Sequence, residues 1–348
     1  NVAIGLSAMA ANTTAPNNVA VGAGAMQLNT TGDQQTAIGR GALGSNTTGY
    51  YNSAVGWSAL YSNTTGAFNT ASGHSALYSN TTASYGTAVG YQAAYSQTTG
   101  STTTAIGYQA AYATTSGNPT ALGYQALKAN TTGAENTALG ALALQANTTG
   151  AYNVAVGRDG LYSNTTASNN TAVGYQAGYS NTTGAQNSYV GRLAGYTNST
   201  GSFNNSFGES SLYYNTGSYN TAMGGYALLN NTTASNNTAV GYQAGYSNTT
   251  GAANTFIGRS AGSSVTTGND NTAVGYGSLN GASGSGSNNA AFGEFALAVN
   301  TSGSYNTALG TGSLQANTTA NDNTAVGYQS LYSNQTGPAS TAIGYQAL

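Results

Sequence analysis

A short string, in most copies an apolar residue followed by glycine, recurs 21 times between Gly5 and Gly344. The recurring glycines are 17 residues apart, except for two spacings of 16 and one of 18. A fixed period of this length is typical of solenoids, in which each repeat contacts mainly its neighbours. The sequence therefore predicts a single repeat array over residues 1–348 with no separate globular domain, which we expect to be a segment of a longer fibre.

Composition excludes several classes of function. Only five residues are Lys or Arg and seven are Asp or Glu, so there is no basic surface of the kind that neutralises phosphates, and we predict no nucleic-acid partner. The chain has no cysteine, so disulfides and thiolate metal sites are not available to it. No run of about 20 apolar residues exists, which predicts no membrane span. Stability must come from stacking of the repeats.

To compare the copies, we number 17 columns with the recurring glycine in column 5, so that Asn18 is in column 1 and Gly22 in column 5. Column 4 is aliphatic, Met or Phe in 20 of 21 copies, with Ser72 as the exception, so we expect it to point inward. Column 8 is always Ala, Ser or Gly, which predicts a narrow interior. Column 6 accepts residues as different as Trp57 and His74, which indicates a position facing solvent.

Prolines and length changes locate the loop. All three prolines fall in columns 16 and 17 or in the corresponding shortened segment, and the changes in spacing lie between columns 12 and 17. Because proline cannot donate to a strand ladder, we expect short strands at columns 1–4 and 6–10, a bend at the column 5 glycine, and a second corner at N-T-T-G. The segments are too short and too rich in Thr, Asn and Gly for helices. The predicted fold is all-β, a parallel β-solenoid (β-roll or β-helix) of about 21 coils with a 17-residue repeat, spanning on the order of 100 Å at the strand spacing of about 4.8 Å.

The repeat motif resembles that of known surface fibres. The strings at Asn136–Gly140 and Asn153–Gly157 resemble the N-S-V-A-I-G repeat of trimeric autotransporter adhesin heads, and N-T-A-[VI]-G-Y-Q-A-L is similar to repeats of bacteriophage tail-fibre-like and bacterial surface proteins. The resemblance covers about half of each coil. It implies a left-handed β-roll that binds extracellular matrix, at the cell or virion surface, and it implies no enzyme.

Catalytic and metal-binding patterns are not found in the sequence. His74 has no metal-ligand partners at neighbouring columns, and the glycines do not form a phosphate-binding loop. Arg192 and Glu209 share column 6 on successive coils, which predicts a surface ion pair worth roughly 0 to 1 kcal/mol. The loop acids are scattered over distant coils. We therefore expect no enzymatic activity, no cofactor and no metal. The loop acids are Asp33, Glu135, Asp270 and Asp322.

Column 12 has two interpretations. In 15 coils its asparagine opens an N-x-[ST] string, which predicts a row of N-glycosylation acceptors on a loop. Asparagine and threonine also suit a tight corner, where the side chains would bond from coil to coil, and acceptors about 5 Å apart would crowd. The candidate glycosylation sites are Asn12, Asn29, Asn46, Asn63, Asn80, Asn130, Asn147, Asn164, Asn181, Asn198, Asn231, Asn248, Asn300, Asn317 and Asn334.

Tyrosines concentrate in columns 6 and 10. An aromatic column can stack sugars or contact another fibre, because tyrosine is common at recognition surfaces. Alternatively, these tyrosines pair along a sheet face and cover backbone. The candidate contact residues are Tyr61, Tyr78, Tyr91, Tyr95, Tyr108, Tyr112, Tyr124, Tyr175, Tyr179, Tyr242 and Tyr246.

These patterns lead to one preferred function and two alternatives. We expect a non-enzymatic structural component of an extracellular fibre or filament, whose main partner is another copy of itself. The first alternative is a carbohydrate- or host-binding adhesin or tail-fibre shaft, for which glycans are the partner. The second is an ice-binding protein, because threonine recurs in columns 2, 13 and 14 on an uncharged β-solenoid.

Overall fold

The computed structural model describes residues 1–100, 102–281 and 284–348. Within these ranges the chain forms 21 β-strands of three residues each and no helix. It divides into two compact units, Asn1–Asn170 and Thr171–Leu348. Each unit is a parallel β-solenoid with the period read from the sequence, so the predicted fold class is confirmed.

Each coil contributes one strand, which occupies columns 2–4. The strands of the first unit are β1 Val2–Ile4, β2 Val19–Val21, β3 Thr36–Ile38, β4 Ser53–Val55, β5 Thr70–Ser72, β6 Thr87–Val89, β7 Thr104–Ile106, β8 Thr120–Leu122, β9 Thr137–Leu139 and β10 Val154–Val156. The strands of the second unit are β11 Thr171–Val173, β12 Ser188–Val190, β13 Asn205–Phe207, β14 Thr221–Met223, β15 Thr238–Val240, β16 Thr255–Ile257, β17 Thr272–Val274, β18 Ala290–Phe292, β19 Thr307–Leu309, β20 Thr324–Val326 and β21 Thr341–Ile343.

Consecutive strands within each unit pair in parallel, and the pairing matches column to column. Ser53 pairs with Thr70 and Ala54 with Ala71 in the first unit, and the same register continues where the spacing changes to 16 residues, between β7 and β8. Like side chains therefore lie beside one another on successive coils. This stacking of identical columns is the physical basis of the solenoid.

The strand turns column 3 inward, and the prediction that column 4 points inward is wrong. Side chains of a strand alternate between its two faces. Ala54, in column 3, is 0% exposed, whereas Val55, in column 4, is 40% exposed. The interior also receives columns 8 and 9, such as Ala59 and Leu60, both fully buried. Column 8 therefore faces a narrow core, as predicted, and the aliphatic residues of column 4 form an outer surface.

The second strand expected at columns 6–10 is replaced by two successive turns. The amide of Ala59 donates to the carbonyl of Gly56 at 3.4 Å, and that of Asn63 donates to the carbonyl of Leu60 at 3.2 Å. Ser58 and Leu60 have φ values of 53° and 51°. A positive φ in alternate residues coils the chain tightly around the small core, which an extended strand could not do.

The turn segment still bonds from coil to coil. The amide of Leu60 donates to the carbonyl of Ala76 at 2.9 Å, and that of Ser62 donates to the carbonyl of Tyr78 at 3.0 Å. These backbone N–H groups thus bond to the neighbouring coil, as they would have done in the expected second strand. The coils are joined on both sides of the column 5 glycine.

The column 5 glycine combines a bend with a close approach, as predicted. Gly56 has a φ of 134°, which residues with a side chain rarely adopt. A Cβ on Gly56 would lie 2.5 Å from the carbonyl oxygen of Gly73 on the next coil. Any other residue here would have to push two coils apart.

Candidate binding surfaces

The column 12 asparagines form a buried hydrogen-bonded ladder. The amide nitrogen Nδ2 of Asn63 donates to Oδ1 of Asn46 on the preceding coil at 2.7 Å and to the carbonyl of Gly66 at 2.9 Å. Oδ1 of Asn63 accepts from Asn80 at 2.8 Å. One side chain therefore joins three coils and closes its own corner.

A second asparagine braces the same corner from column 1. Asn52 donates from Nδ2 to the carbonyl of Gly66 at 2.8 Å, so this oxygen accepts from two side-chain amides. Oδ1 of Asn52 accepts the backbone N–H of Asn69 on the next coil at 3.0 Å. The loop thus keeps a fixed shape although it lacks regular secondary structure, because its buried polar groups are paired within and between coils.

These contacts support the corner interpretation of column 12 over the glycosylation interpretation. Of the 15 candidate asparagines, all but Asn12 and Asn334 are buried. A sugar on Nδ2 would remove the ladder bonds and would require space that the stacked coils occupy. Asn12 and Asn334 are half-buried, and for them glycosylation stays a prediction.

Several candidate tyrosines form stacked ladders on the surface of the first unit. Column 10 carries one ladder in which the Tyr61 and Tyr78 ring centroids are 5.4 Å apart, and the ladder continues through Tyr95 and Tyr112 at 5.1 and 5.2 Å. Column 6 carries a second ladder, Tyr91, Tyr108 and Tyr124, with spacings of 5.3 and 5.4 Å.

The second unit has shorter ladders. Tyr179 stacks on Tyr196 at 5.2 Å, and Tyr196 stacks on Tyr213 at 5.0 Å. Tyr242 meets Tyr226 edge to face. Column 6 tyrosines, including Tyr175, are exposed, whereas the column 10 tyrosines Tyr179, Tyr196, Tyr213 and Tyr246 are partly covered. Burial raises the pKa of Tyr213, and its tyrosine neighbours add to the shift.

The threonine columns differ in what their hydroxyls do. In column 13, Oγ1 of Thr47 donates to the carbonyl of Thr64 on the next coil at 3.1 Å, so this hydroxyl is used within the fold. Column 14 threonines such as Thr65 are exposed. Column 2 threonines lie on the outer face of the strands, next to column 4. The outward orientation that an ice-binding surface needs is thus met by column 2.

Charged and aromatic residues of column 6 form a few local contacts. Arg192 Nη1 lies 2.6 Å from Glu209 Oε1, and both side chains are exposed, which confirms the predicted surface ion pair. The His74 ring meets the Trp57 ring edge to face at 4.3 Å. Within the three described ranges, no group of three His, Cys, Asp or Glu side chains could hold a metal ion.

Sequence reasoning missed an open groove beside Trp57. The groove measures about 470 Å³ and lies between columns 6, 7 and 10 of the first coils. Its floor contains Gly24 and Gly41, where most coils have a side chain in column 7. The signal in the sequence is the clustering of departures from the repeat: the only Trp, Arg40 and two glycines of column 7 fall within adjacent coils.

No helix that could span a membrane occurs in the part of the chain that the structure describes. Comparison with protein-family models and with curated proteins found no match. The likeness to adhesin heads and tail fibres therefore remains a resemblance of the repeat motif, carried by strings such as Asn153–Gly157.

Proposed function

We propose that this chain is a non-enzymatic structural segment of an extracellular fibre. The observation that carries the proposal is that, within each unit, neighbouring coils are bonded by the strand ladder and the turn ladder, and most of them also by the asparagine ladder. A one-dimensional array of identical interfaces resists extension without needing a large core. Such an array presents the same surface side chains at a regular spacing.

The outer strand face provides a surface for self-association. Column 4 repeats an exposed aliphatic side chain, for example Val55 and Val89, flanked by the small column 2 residues. A second copy presents the same side chains at the same coil spacing, so each coil of one copy can meet a coil of the other. The formal net charge of -2 opposes this approach only weakly. Burial of such an apolar stripe would favour association.

Electron microscopy of the purified chain across a concentration series tests this proposal. We expect filaments for the native sequence and dispersed single chains for the double variant Val55→Lys, Val89→Lys, because lysines on the outer strand face repel and must be desolvated. Thr65→Lys, which places the same charge on the exposed loop, should leave assembly intact. A native chain that stays monomeric at every concentration would refute the fibre role, and equal assembly of both lysine variants would refute the outer strand face as the contact.

Ice binding is a second candidate because of one observation. Five consecutive coils of the first unit carry threonine in column 2, and none of these side chains is buried. The test is thermal hysteresis of the chain and of Thr87→Lys, Thr104→Lys. Hysteresis that is lost in the variant supports ice binding, and no hysteresis in the native chain excludes it. The five threonines are Thr70, Thr87, Thr104, Thr120 and Thr137.

A further inference from the structure

The groove beside Trp57 opens on the surface of the first unit. We call it the Trp57 groove. It runs over the first coils of the first unit and has a volume of about 470 Å³. Its lining includes Gln27, Arg40, Gly41, Trp57, Ser58 and Tyr61.

The groove exists because side chains are missing from its floor. Most other coils have a side chain in column 7: Gln92 and Gln109 occupy it on successive coils, and Nε2 of Gln109 donates to Oε1 of Gln92 at 2.9 Å. Gly24 and Gly41 leave this strip empty. Gly44 leaves room for the Tyr61 ring, because a Cβ there would lie 2.9 Å from Cε2 of Tyr61.

The walls combine flat aromatic faces with hydrogen-bonding groups. The Trp57 side chain is 51% exposed and that of Tyr61 is 38% exposed, so both rings offer surface to a ligand. Gln27 and Ser58 supply amide and hydroxyl groups beside them. A sugar ring has the matching surface: a C–H face that packs on an aromatic ring and hydroxyls at its edge.

Arg40 gives the groove a charge preference. Its side chain is exposed, and among the described residues its guanidinium forms no ion pair. Arginine binds carboxylates through two parallel N–H donors. A single arginine in a chain with five basic residues suits one carboxylate and not a polyphosphate backbone.

From these contacts we infer that the Trp57 groove binds an acidic oligosaccharide, with a sugar ring on Trp57 and Tyr61 and a uronate carboxylate on Arg40. This site lies at the end of the column 10 tyrosine ladder, of which Tyr61 is the first member, and is separate from the self-association surface. It adds a recognition function to the proposed structural role, and it does not depend on that role.

Fluorescence of Trp57 provides a direct test, because it is the only tryptophan in the chain. The probes are trigalacturonate and its neutral methyl ester, titrated into the full chain. We expect a saturable change with trigalacturonate and binding about tenfold weaker with the ester, as the loss of one charge-assisted contact predicts. Arg40→Gln should remove this difference between the two probes.

Variants that fill the groove are a second test, and the same substitution outside the groove is their control. Gly41→Gln introduces the residue that column 7 has at Gln109, and it should abolish the response to both probes. Gly24→Gln is a second such variant, since its Cβ would meet only Oε1 of Gln27, at 3.6 Å. Gly312→Gln makes the same change in the second unit and should bind as the native chain does.

Three results would overturn the inference. The first is no saturable fluorescence change with either probe. The second is binding by Gly41→Gln or Gly24→Gln that equals binding by Gly312→Gln. The third is equal affinity of the native chain for the acid and the ester, which would refute the role of Arg40.

Discussion

At the scale of single residues, two large aromatic side chains take the place of the usual small residue in column 3. Tyr189 and Phe256 are fully buried where other coils have alanine or serine. Each is accommodated by glycine in column 9: a Cβ on Gly195 would overlap the Tyr189 ring, and one on Gly262 would overlap the Phe256 ring. The core volume is thus kept by an exchange between two columns.

This exchange predicts compensation between mutations. Tyr189→Ala should destabilise the second unit by about 3 to 5 kcal/mol, because it leaves a cavity beside Gly195. Gly195→Leu alone should also destabilise it, because the new side chain meets the Tyr189 ring. The triple variant Tyr189→Ala, Gly178→Leu, Gly195→Leu restores the usual pattern and should recover most of the loss.

Denaturant midpoints of the four proteins measure this effect. Leucine is acceptable at column 9 because Leu212 has a φ of 49° there. Additive losses in the triple variant would contradict the volume exchange, since coupled residues must show an interaction free energy.

Tyr189 also predicts a loss of stability at alkaline pH. Burial raises its pKa well above the ordinary value of 10.0, although the hydrogen bond from Asn198 opposes the shift. The folded state therefore holds the phenol proton more tightly than the unfolded state. The corresponding stability is fully present below about pH 10 and declines above it, by up to about 1.4 kcal/mol per pH unit.

Unfolding curves of the native chain and Tyr189→Phe between pH 8 and 12 isolate this residue, because the other tyrosines titrate in both proteins. We expect a shallower loss in the variant above pH 10. Parallel pH profiles would show that Tyr189 is not held neutral by burial.

At the scale of elements, the asparagine corner links most coils to their neighbours on the side opposite to the strand. Asn63→Ala should cost about 1 to 3 kcal/mol, because the buried Oδ1 of Asn46 loses its donor on the next coil and the Gly66 carbonyl keeps only the donor from Asn52. Asn334→Ala is the matched control: this side chain is only half-buried and bonds within its own turn, to Gly337. Thermal unfolding should show the larger drop for Asn63→Ala, and equal drops would contradict a ladder that joins coils.

The two faces of a strand should respond to mutation in opposite ways. Val55→Lys should change the stability of the monomer by less than about 1 kcal/mol, because its side chain is already in solvent. Ala54→Leu should cost about 1 to 3 kcal/mol, because the larger side chain would be overpacked. Column 9 is glycine beside Tyr189, but near Ala54 it holds the fully buried Leu43 and Leu60. Urea unfolding at concentrations too low for association tests the pair. A larger loss of stability for Val55→Lys than for Ala54→Leu would indicate that column 4 lies in the interior.

The sequence predicts the period, the parallel stack and the small interior, because these follow from repetition and residue size. It does not reveal which face of the strand is inside. Val55 is apolar and Ala54 is small, and a strand of only three residues fits the residue pattern with either face inside. The sequence also does not reveal the positive φ values of Ser58 and Leu60, because serine and leucine rarely adopt the left-handed region.

The candidate sites were less predictable than the fold. Repetition identified the tyrosine and asparagine columns but not their burial, which depends on how the corner folds. The Trp57 groove depends on side chains that Gly24 and Gly41 lack, and its shape requires the neighbouring ladder to be in place. Only the clustering of departures from the repeat pointed to it.

At the scale of the whole molecule, the coil and not the residue is the unit of folding. Removal of one complete coil, Asn69–Tyr85, keeps every remaining column in register. We therefore expect the shortened chain to fold with a similar melting temperature, because each interface is with a nearest neighbour.

Removal of a partial coil, Asn69–Leu77, is the comparison. It places turn residues against strands and should unfold the coils around the deletion. Circular dichroism and amide hydrogen exchange over the first unit measure both proteins. Equal damage from the two deletions would argue against independent coils.

The close stacking of one column 5 glycine on the next has an evolutionary consequence. Gly56 and its equivalents cannot drift to other residues one at a time, yet a gene segment that encodes one whole coil can be copied or lost in frame. Selection can then change the number of coils more easily than the sequence of a coil. We therefore expect the number of coils to be the trait that varies among descendants.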